Sequence, residues 1–331
     1  MFMAFVQFLK QHRVRCLQIL VIILVIALIL MLHGRVQKDD SQASSGPESP
    51  VSAVKKDFSK KESPPVLYAF PKGGRQLLPD YRFVALYGAP GIPAMGILGE
   101  QTTAANIQKI KDLASEYQKY SKEPVWPTFE VITTIASSSP TSNGDYSREI
   151  EPAQLQPLIQ AAKEAGIYCI LDLQPGRTDF LTQARQYEAL LKEPHVGLAL
   201  DPEWRLKPDQ LHLKQIGSVA IAEVNSVSRW LADLAKQHAL PQKMFLLHQF
   251  RLSMITGRQQ LDTSRNELAY IIQMDGNGAQ STKLSTWNSI RANAPAAVYF
   301  GWKNFYDEDK PMLSPDATML LTPQPWFVSY Q

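Results

Sequence analysis

From Tyr68 onward the chain alternates short apolar runs with amphipathic stretches. The runs are Phe83 to Tyr87, Phe129 to Ala136, Tyr168 to Leu173, Val196 to Asp201, Met244 to Phe250, Leu268 to Met274, Val298 to Trp302 and Trp326 to Tyr330. Their length and turn-rich borders predict buried strands. Between them, Ala104 to Tyr120, Pro152 to Ala165 and Gly217 to Ala239 repeat apolar positions at three- and four-residue spacing, which predicts helices. Eight strands with mostly helical crossovers over about 260 residues predict an α/β fold, a (β/α)8 TIM-like barrel. An open doubly wound sheet is the competing arrangement. It lacks its phosphate turn here, because Gly88 to Gly99 is rich in both glycine and proline and has no G-x-G-x-x-G spacing. That segment reads as a shaped loop over the barrel mouth. No helix follows the eighth run, so Tyr68 to Tyr81 is expected to cover the gap in the outer ring.

The start of the chain has a different pattern. From Leu17 to Leu32 the only polar residue is Gln18, and Lys10, Arg13 and Arg15 precede the stretch. About 16 residues at 1.5 Å rise span about 25 Å, close to a ~30 Å hydrocarbon core. A cleaved signal peptide is the rival, but its apolar core is usually about 7 to 15 residues with a small-x-small site close behind, and Ser41-Gln42-Ala43 lies far downstream. The expected organisation is a short cytoplasmic N-terminus at 1–15 and a single-pass transmembrane signal anchor at 16–34. A disordered Ser-, Lys-, Asp-, Glu- and Pro-rich linker at 35–65 and a barrel domain at 66–331, outside the cell membrane, complete it.

Charge matters only once it is divided along the chain. The formal net charge is +3, but nine of the 34 basic and five of the 31 acidic residues precede position 65, leaving 25 basic against 26 acidic groups beyond it. A near-neutral domain carries no basic footprint for nucleic acid. Cys16 abuts the apolar span and Cys169 lies in an apolar run, so the two are not expected to pair. An extracytoplasmic domain with 45% hydrophobic residues overall has core enough to do without disulfides, as in a bacterial envelope protein.

The stretch His195 to Arg205 carries the clearest chemistry. Period-two alternation puts Gly197, Ala199, Asp201 and Glu203 on one face and Val196, Leu198 and Leu200 on the other. Barrel sites gather at the C-terminal ends of strands. There the third strand offers Asp172, Gln174 and Arg177, and the fourth Asp201, Glu203, Trp204 and Arg205. The fifth offers His248, Gln249 and Arg251, the sixth Gln273 and Asp275, and the seventh Trp302, Lys303 and Asn304. Carboxylate, amide and indole are the groups that bind and cleave sugars. Acids at i and i+2 of a strand stand about 6.5 to 7 Å apart and point the same way, suiting a proton donor beside a group that stabilises positive charge. The catalytic candidates are therefore Glu203, Asp201, Asp172 and Asp275. Those for binding are Gln174, Arg177, Trp204, Arg205, His248, Gln249, Gln273, Trp302 and Asn304. No cofactor is expected and no metal is assigned; the expected partner is a carbohydrate or cell-wall polymer. The bland alternatives are a salt-bridged lid, with Asp201 and Glu203 on loop amides, Arg177 or Arg205, and a hydrogen-bonded core role for His248. No serine elbow, Cys/His dyad or H-E-x-x-H motif is present.

Asp201-Pro202-Glu203-Trp204 at the end of the fourth strand resembles the Asp-x-Glu signature of the chitinase-like family 18 glycoside hydrolases, which are (β/α)8 barrels. The resemblance implies that Glu203 is the acid/base and that Asp201 supports attack by the substrate's own N-acetyl group. The chain departs from the full Asp-x-x-Asp-x-Asp-x-Glu pattern at Val196 and Ala199, and Trp326 opens the eighth strand where the family carries a tryptophan at its end. The chain as a whole also resembles membrane-anchored bacterial surface proteins of uncharacterised activity. Two other functions compete with hydrolysis. One is a non-catalytic glycan-binding or scaffold barrel. The other is a metal-dependent phosphodiesterase using Asp172, Asp201, Glu203, Asp275 and His248 as ligands for Ca²⁺ or Mg²⁺.

The basic cluster before the apolar span sets an orientation that limited proteolysis tests. Protease added outside intact cells is expected to release a fragment beginning within residues 36–65. Full protection until the cells are lysed would reverse the assigned orientation.

Overall fold

The computed structural model describes residues 69–71 and 73–331. The anchor expected at 16–34 and the linker expected at 35–65 lie outside them. Among the described residues no helix is long and apolar enough to cross a membrane.

Eight parallel strands form a closed barrel: β1 (Arg82–Gly88), β2 (Val125–Ala136), β3 (Tyr168–Leu173), β4 (Val196–Leu200), β5 (Lys243–Gln249), β6 (Leu268–Met274), β7 (Tyr299–Asn304) and β8 (Phe327–Tyr330). Each pairs with the next, and β1 is bonded to both β2 and β8, which closes the ring and rules out the open sheet. A short strand, Ser147–Glu149, runs antiparallel against the end of β2. The outer helices include α1 (Thr103–Gln118), α2 (Pro152–Ala165), α3 (Phe180–Gln186), α4 (Ile221–Gln237), α5 (Gln280–Arg291) and α6 (Pro315–Met319). Their ends follow local chemistry. The Thr102 hydroxyl accepts from the Ala105 amide at the start of α1, and Gly166 takes the left-handed conformation that ends α2.

Alternation along each strand divides the core into two shells. Val84, Leu86, Leu171, Leu198, Leu200, Phe245 and Leu247 face outward beneath the helices. Phe83, Ala85, Tyr168, Ile170, Ala199, Leu246, Ile271 and Phe327 fill the interior. Phe70, Leu77, Leu78 and Tyr81 join this inner set, with the Phe70 and Trp126 rings 5.2 Å apart edge to face. The segment before β1 therefore plugs the N-terminal end of the barrel and does not fill the outer ring as expected. The flank of β8 is closed by α1, whose Tyr117 hydroxyl lies 2.6 Å from that of Tyr330.

The inner shell explains the small residues of β4. A Cβ added at Gly197 would stand 2.8 Å from the Met244 carbonyl oxygen and 3.0 Å from the Tyr168 hydroxyl. Gly197→Leu is expected to cost about 1–3 kcal/mol or more through overpacking, read as a lower denaturation midpoint. An unchanged midpoint would contradict the inward placement.

Candidate functional site

The alternation that fills the barrel with apolar side chains delivers polar ones at the C-terminal end. Two residues beyond the apolar inner layer stand Tyr87 of β1, Glu130 of β2, Asp172 of β3, Asp201 just past β4, His248 of β5, Gln273 of β6, Lys303 of β7 and Ser329 of β8. All are buried, with Glu130, Asp172 and His248 at 0% exposure. Asp275 follows Gln273 by two positions and faces the same way.

Tyr87, Glu130, Asp172, His248, Asp275 and Lys303 form one connected network. Asp275 is held on both sides: His248 Nδ1 lies 2.8 Å from its Oδ2, and Lys303 Nζ lies 3.1 Å from its Oδ1. Lys303 also sits 3.4 Å from the centre of the Tyr87 ring. Tyr87 donates its hydroxyl proton to Asp172 Oδ2 at 2.9 Å and accepts from Gln174 Nε2 at 3.2 Å. Beneath them, His248 Nε2 lies 3.0 Å from Glu130 Oε1 and 3.4 Å from Asp172 Oδ1. Those two contacts are at ion-pair distance but out of line for hydrogen bonds. Gln273 completes the floor by donating to the Ser329 hydroxyl.

Above the floor opens a cavity of about 790 Å³ whose wall includes Asp201, Glu203, Trp204, Phe250, Asp275 and Lys303. Its key wall is a single 3-10 turn, Pro202–Trp204, with proline at its first position and Asp201 as its cap. Asp201 Oδ1 accepts from the Glu203 amide at 3.1 Å. The loop beyond folds back onto this turn at Gly217, whose amide donates to the Glu203 carbonyl. Any Cβ at Gly217 would stand 2.4 Å from that oxygen, so only glycine allows the approach. The Trp204 ring is steadied edge to face against His212, 5.3 Å away.

Protonation divides the acids. Burial, joined by the charge of Asp275, pushes the Glu203 carboxyl up to about 7, although Lys303, His248 and Arg251 pull the other way. Burial also pushes Asp201 well above the usual carboxylate range, against His248 and with Asp172, Glu203 and Asp275. Burial opposes ionisation of Asp275 as well, but Lys303 and His248 outweigh it and hold the group below its ordinary value. Burial disfavours a charged His248, yet Asp172, Asp275 and Glu130 together raise it well above the ordinary histidine range.

Asp201, Glu203, Asp275, Gln174 and Trp204 thus line the cavity, with Asp172, His248 and Gln273 one layer below. Five candidates are placed elsewhere. Trp302 and Asn304 face outward, because Gly301 and Lys303 are the inward residues of β7. Trp302 packs edge to face on Trp287 of α5 at 5.8 Å and donates to Asn304 at 2.7 Å. Gln249 also faces outward, accepting from Arg258 at 2.7 Å. Arg177 lies over the Tyr146 ring at 4.5 Å, and Arg205 is paired with Glu223 at 3.0 Å. Neither arginine is paired with Asp201 or Glu203, as the alternative of a salt-bridged lid would require. Sequence reasoning overlooked Glu130 and Tyr87 and passed over Lys303; the signal for Glu130 was a carboxylate inside an otherwise apolar strand. The proposed metal ligands do not converge: Lys303 is paired with Asp275 among them, and among the described residues no group of three or more His, Cys, Asp or Glu is arranged to hold a metal ion.

No family model matches the chain, and no curated protein matches it. Several solved barrels are similar to it at low identity. A xylanase and α-amylase inhibitor protein from Scadoxus multiflorus is 10% identical over 75% of this chain and 92% of that one, with a TM-score of 0.44. A D-psicose 3-epimerase crystallised in the presence of D-fructose is 10% identical over 75% and 84%, with a TM-score of 0.40. A 7,8-dihydropteroate synthase from Vibrio fischeri is 12% identical over 77% and 88%, with a TM-score of 0.35. The strand pairing, not these likenesses, defines the barrel.

The raised Glu203 carboxyl predicts a pH dependence of stability. The unfolded chain releases this proton near the ordinary value of 4.5, whereas the folded chain holds it to about 7. Folding is therefore progressively penalised as pH rises across that window, and the penalty is constant above it. Glu203→Gln does not ionise, so its stability relative to wild type should grow by roughly 1–3 kcal/mol between pH 4 and pH 8. Parallel unfolding midpoints for the two proteins across that range would contradict the shift.

Proposed function

We propose that the barrel mouth binds a carbohydrate, on a domain held outside the cell membrane by the apolar segment at 16–34 and the linker at 35–65. One observation carries this reading: Glu203, protonatable near neutral pH, lines the cavity beside the Trp204 ring. A neutral carboxyl both donates and accepts hydrogen bonds, which matches sugar hydroxyls. An aromatic face suits the C–H surface of a sugar ring. The cavity lies within the ~300–1,000 Å³ usual for small-ligand sites. A cell-wall or extracellular glycan fits the proposed location, and the near-neutral domain favours no nucleic acid.

A second reading, glycoside hydrolysis, is favoured by the same protonatable Glu203 two residues after Asp201, the arrangement behind the resemblance to chitinase-like family 18 enzymes. In that reading Glu203 protonates the leaving oxygen. Displacement by two protein carboxylates needs a second free acid, and Asp275 has both oxygens engaged. The hydrolytic reading therefore depends on assistance from the substrate, with Asp201 as its support.

The full chain in detergent, titrated with wall and extracellular glycan fragments, separates the two. Binding alone predicts no turnover, and an affinity that falls about tenfold or more in Trp204→Ala and much less in Glu203→Gln. Hydrolysis predicts turnover that Glu203→Gln lowers by about 10² to 10⁴ while binding is kept. Absence of both binding and turnover would overturn the carbohydrate reading.

A further inference from the structure

His248 joins the sealed floor to the open mouth. Carboxylates face both of its ring nitrogens: Asp275 Oδ2 at 2.8 Å from Nδ1, and Glu130 Oε1 and Asp172 Oδ1 at 3.0 and 3.4 Å from Nε2. A neutral imidazole has one N–H, one bare lone pair and no net charge, so it would leave these carboxylates without a compensating cation. Only the doubly protonated ring donates to Asp275 and also places positive charge beside Glu130 and Asp172. Asp172 shares its other oxygen with the Tyr87 hydroxyl. Glu130 has no hydrogen-bond partner for either oxygen and is wholly buried, so His248 is its nearest compensating charge. A buried carboxylate in that situation is costly unless its partner is a cation.

We propose that Glu130 is the positioning residue of the mouth: acting through His248 from within the floor, it keeps that ring a fixed imidazolium, and the ring fixes Asp275 as the carboxylate that faces Glu203. The groups around the ring account for every strand packed against it. Tyr87 comes from β1, Glu130 from β2, Asp172 from β3, Asp201 from the end of β4 and Asp275 from the end of β6, with Lys303 of β7 on the far side of Asp275. Asp275, engaged by His248 and Lys303, is the anchor; Glu203 is left to exchange its proton with the ligand. Only this last consequence rests on the carbohydrate reading.

The test uses the full chain in detergent with ¹⁵N-labelled histidine, the His248 signals being assigned by their loss in His248→Gln. In wild type both ring nitrogens are expected to stay protonated through pH 8. In Glu130→Gln the ring should lose its proton at least tenfold more readily, with partial recovery in Glu130→Asp. Loss of the ring's positive charge removes a group that favours ionised Glu203, so the pH midpoint of glycan binding or turnover should move upward in Glu130→Gln. A merely structural Glu130 would lower the unfolding midpoint and leave both titrations in place. An unmoved ring titration in Glu130→Gln overturns the proposal. If that variant fails to fold, the wild-type ring decides alone, and a neutral His248 at pH 7 overturns it. Failure of any glycan to bind sinks the carbohydrate reading, and the ring titration then decides the role of Glu130 without it.

Discussion

The structure of the mouth depends on how one carboxylate is shared. Asp275 accepts from His248 on one oxygen and Lys303 on the other, and that division lets two cations and several acids coexist inside a barrel. Each ion would be expensive there alone, because the interior offers little solvation. Shared in this way, the charges lock together strands β5, β6 and β7, and through Tyr87 and Asp172 they reach β1 and β3. Glu203 and Asp201 stand beside this network without belonging to it. They keep their protons chiefly because burial opposes ionisation, with the charge of Asp275 adding to it.

The outer face of β7 does related work from behind. Lys283 of α5 donates to the Lys303 carbonyl at 2.7 Å and pairs with buried Asp309, which also accepts from the Phe305 amide at 3.0 Å. The Lys283 ammonium lies 4.8 Å from the Trp302 ring. Trp302, Lys283 and Asp309 thus hold the backbone that presents Lys303 to the interior. The Asp307-Glu308-Asp309 run looks like a solvated loop in sequence, yet its last member is a buried anchor.

All eight strands were legible in the sequence because a parallel strand covered on both faces must be apolar nearly throughout. The same property concealed the facing of β7. Tyr299, Phe300 and Trp302 show no alternation of polar and apolar residues, so nothing local distinguished inward Lys303 from outward Asn304. In β4, by contrast, glycine and alanine alternate with leucine and mark the inward face, but the strand ends at Leu200, so Glu203 is presented by the Pro202–Trp204 turn and not, as expected, by strand alternation. Glu130 was hidden in a strand whose threonines blur the pattern on either side, and its role becomes visible only when β5 brings His248 above it. The arginines misled for a different reason. Arg177 and Arg205 are close in sequence to the acids, but their partners, Tyr146 and Glu223, come from other parts of the chain.

The plug at the base of the barrel gives the well a single opening. Phe70, Leu77, Leu78 and Tyr81 close the N-terminal end against Phe83, Trp126 and Phe327, and the apolar layers above them leave no passage. A long polymer has no way to thread through. Under the carbohydrate reading, a polymer would engage the mouth either by inserting a chain end or by lying across the rim with one residue dipped inward, and whatever entered would leave by reversing its path. Processive threading of a strand through the barrel is thereby excluded by the shape of the well, whatever the chemistry at its mouth.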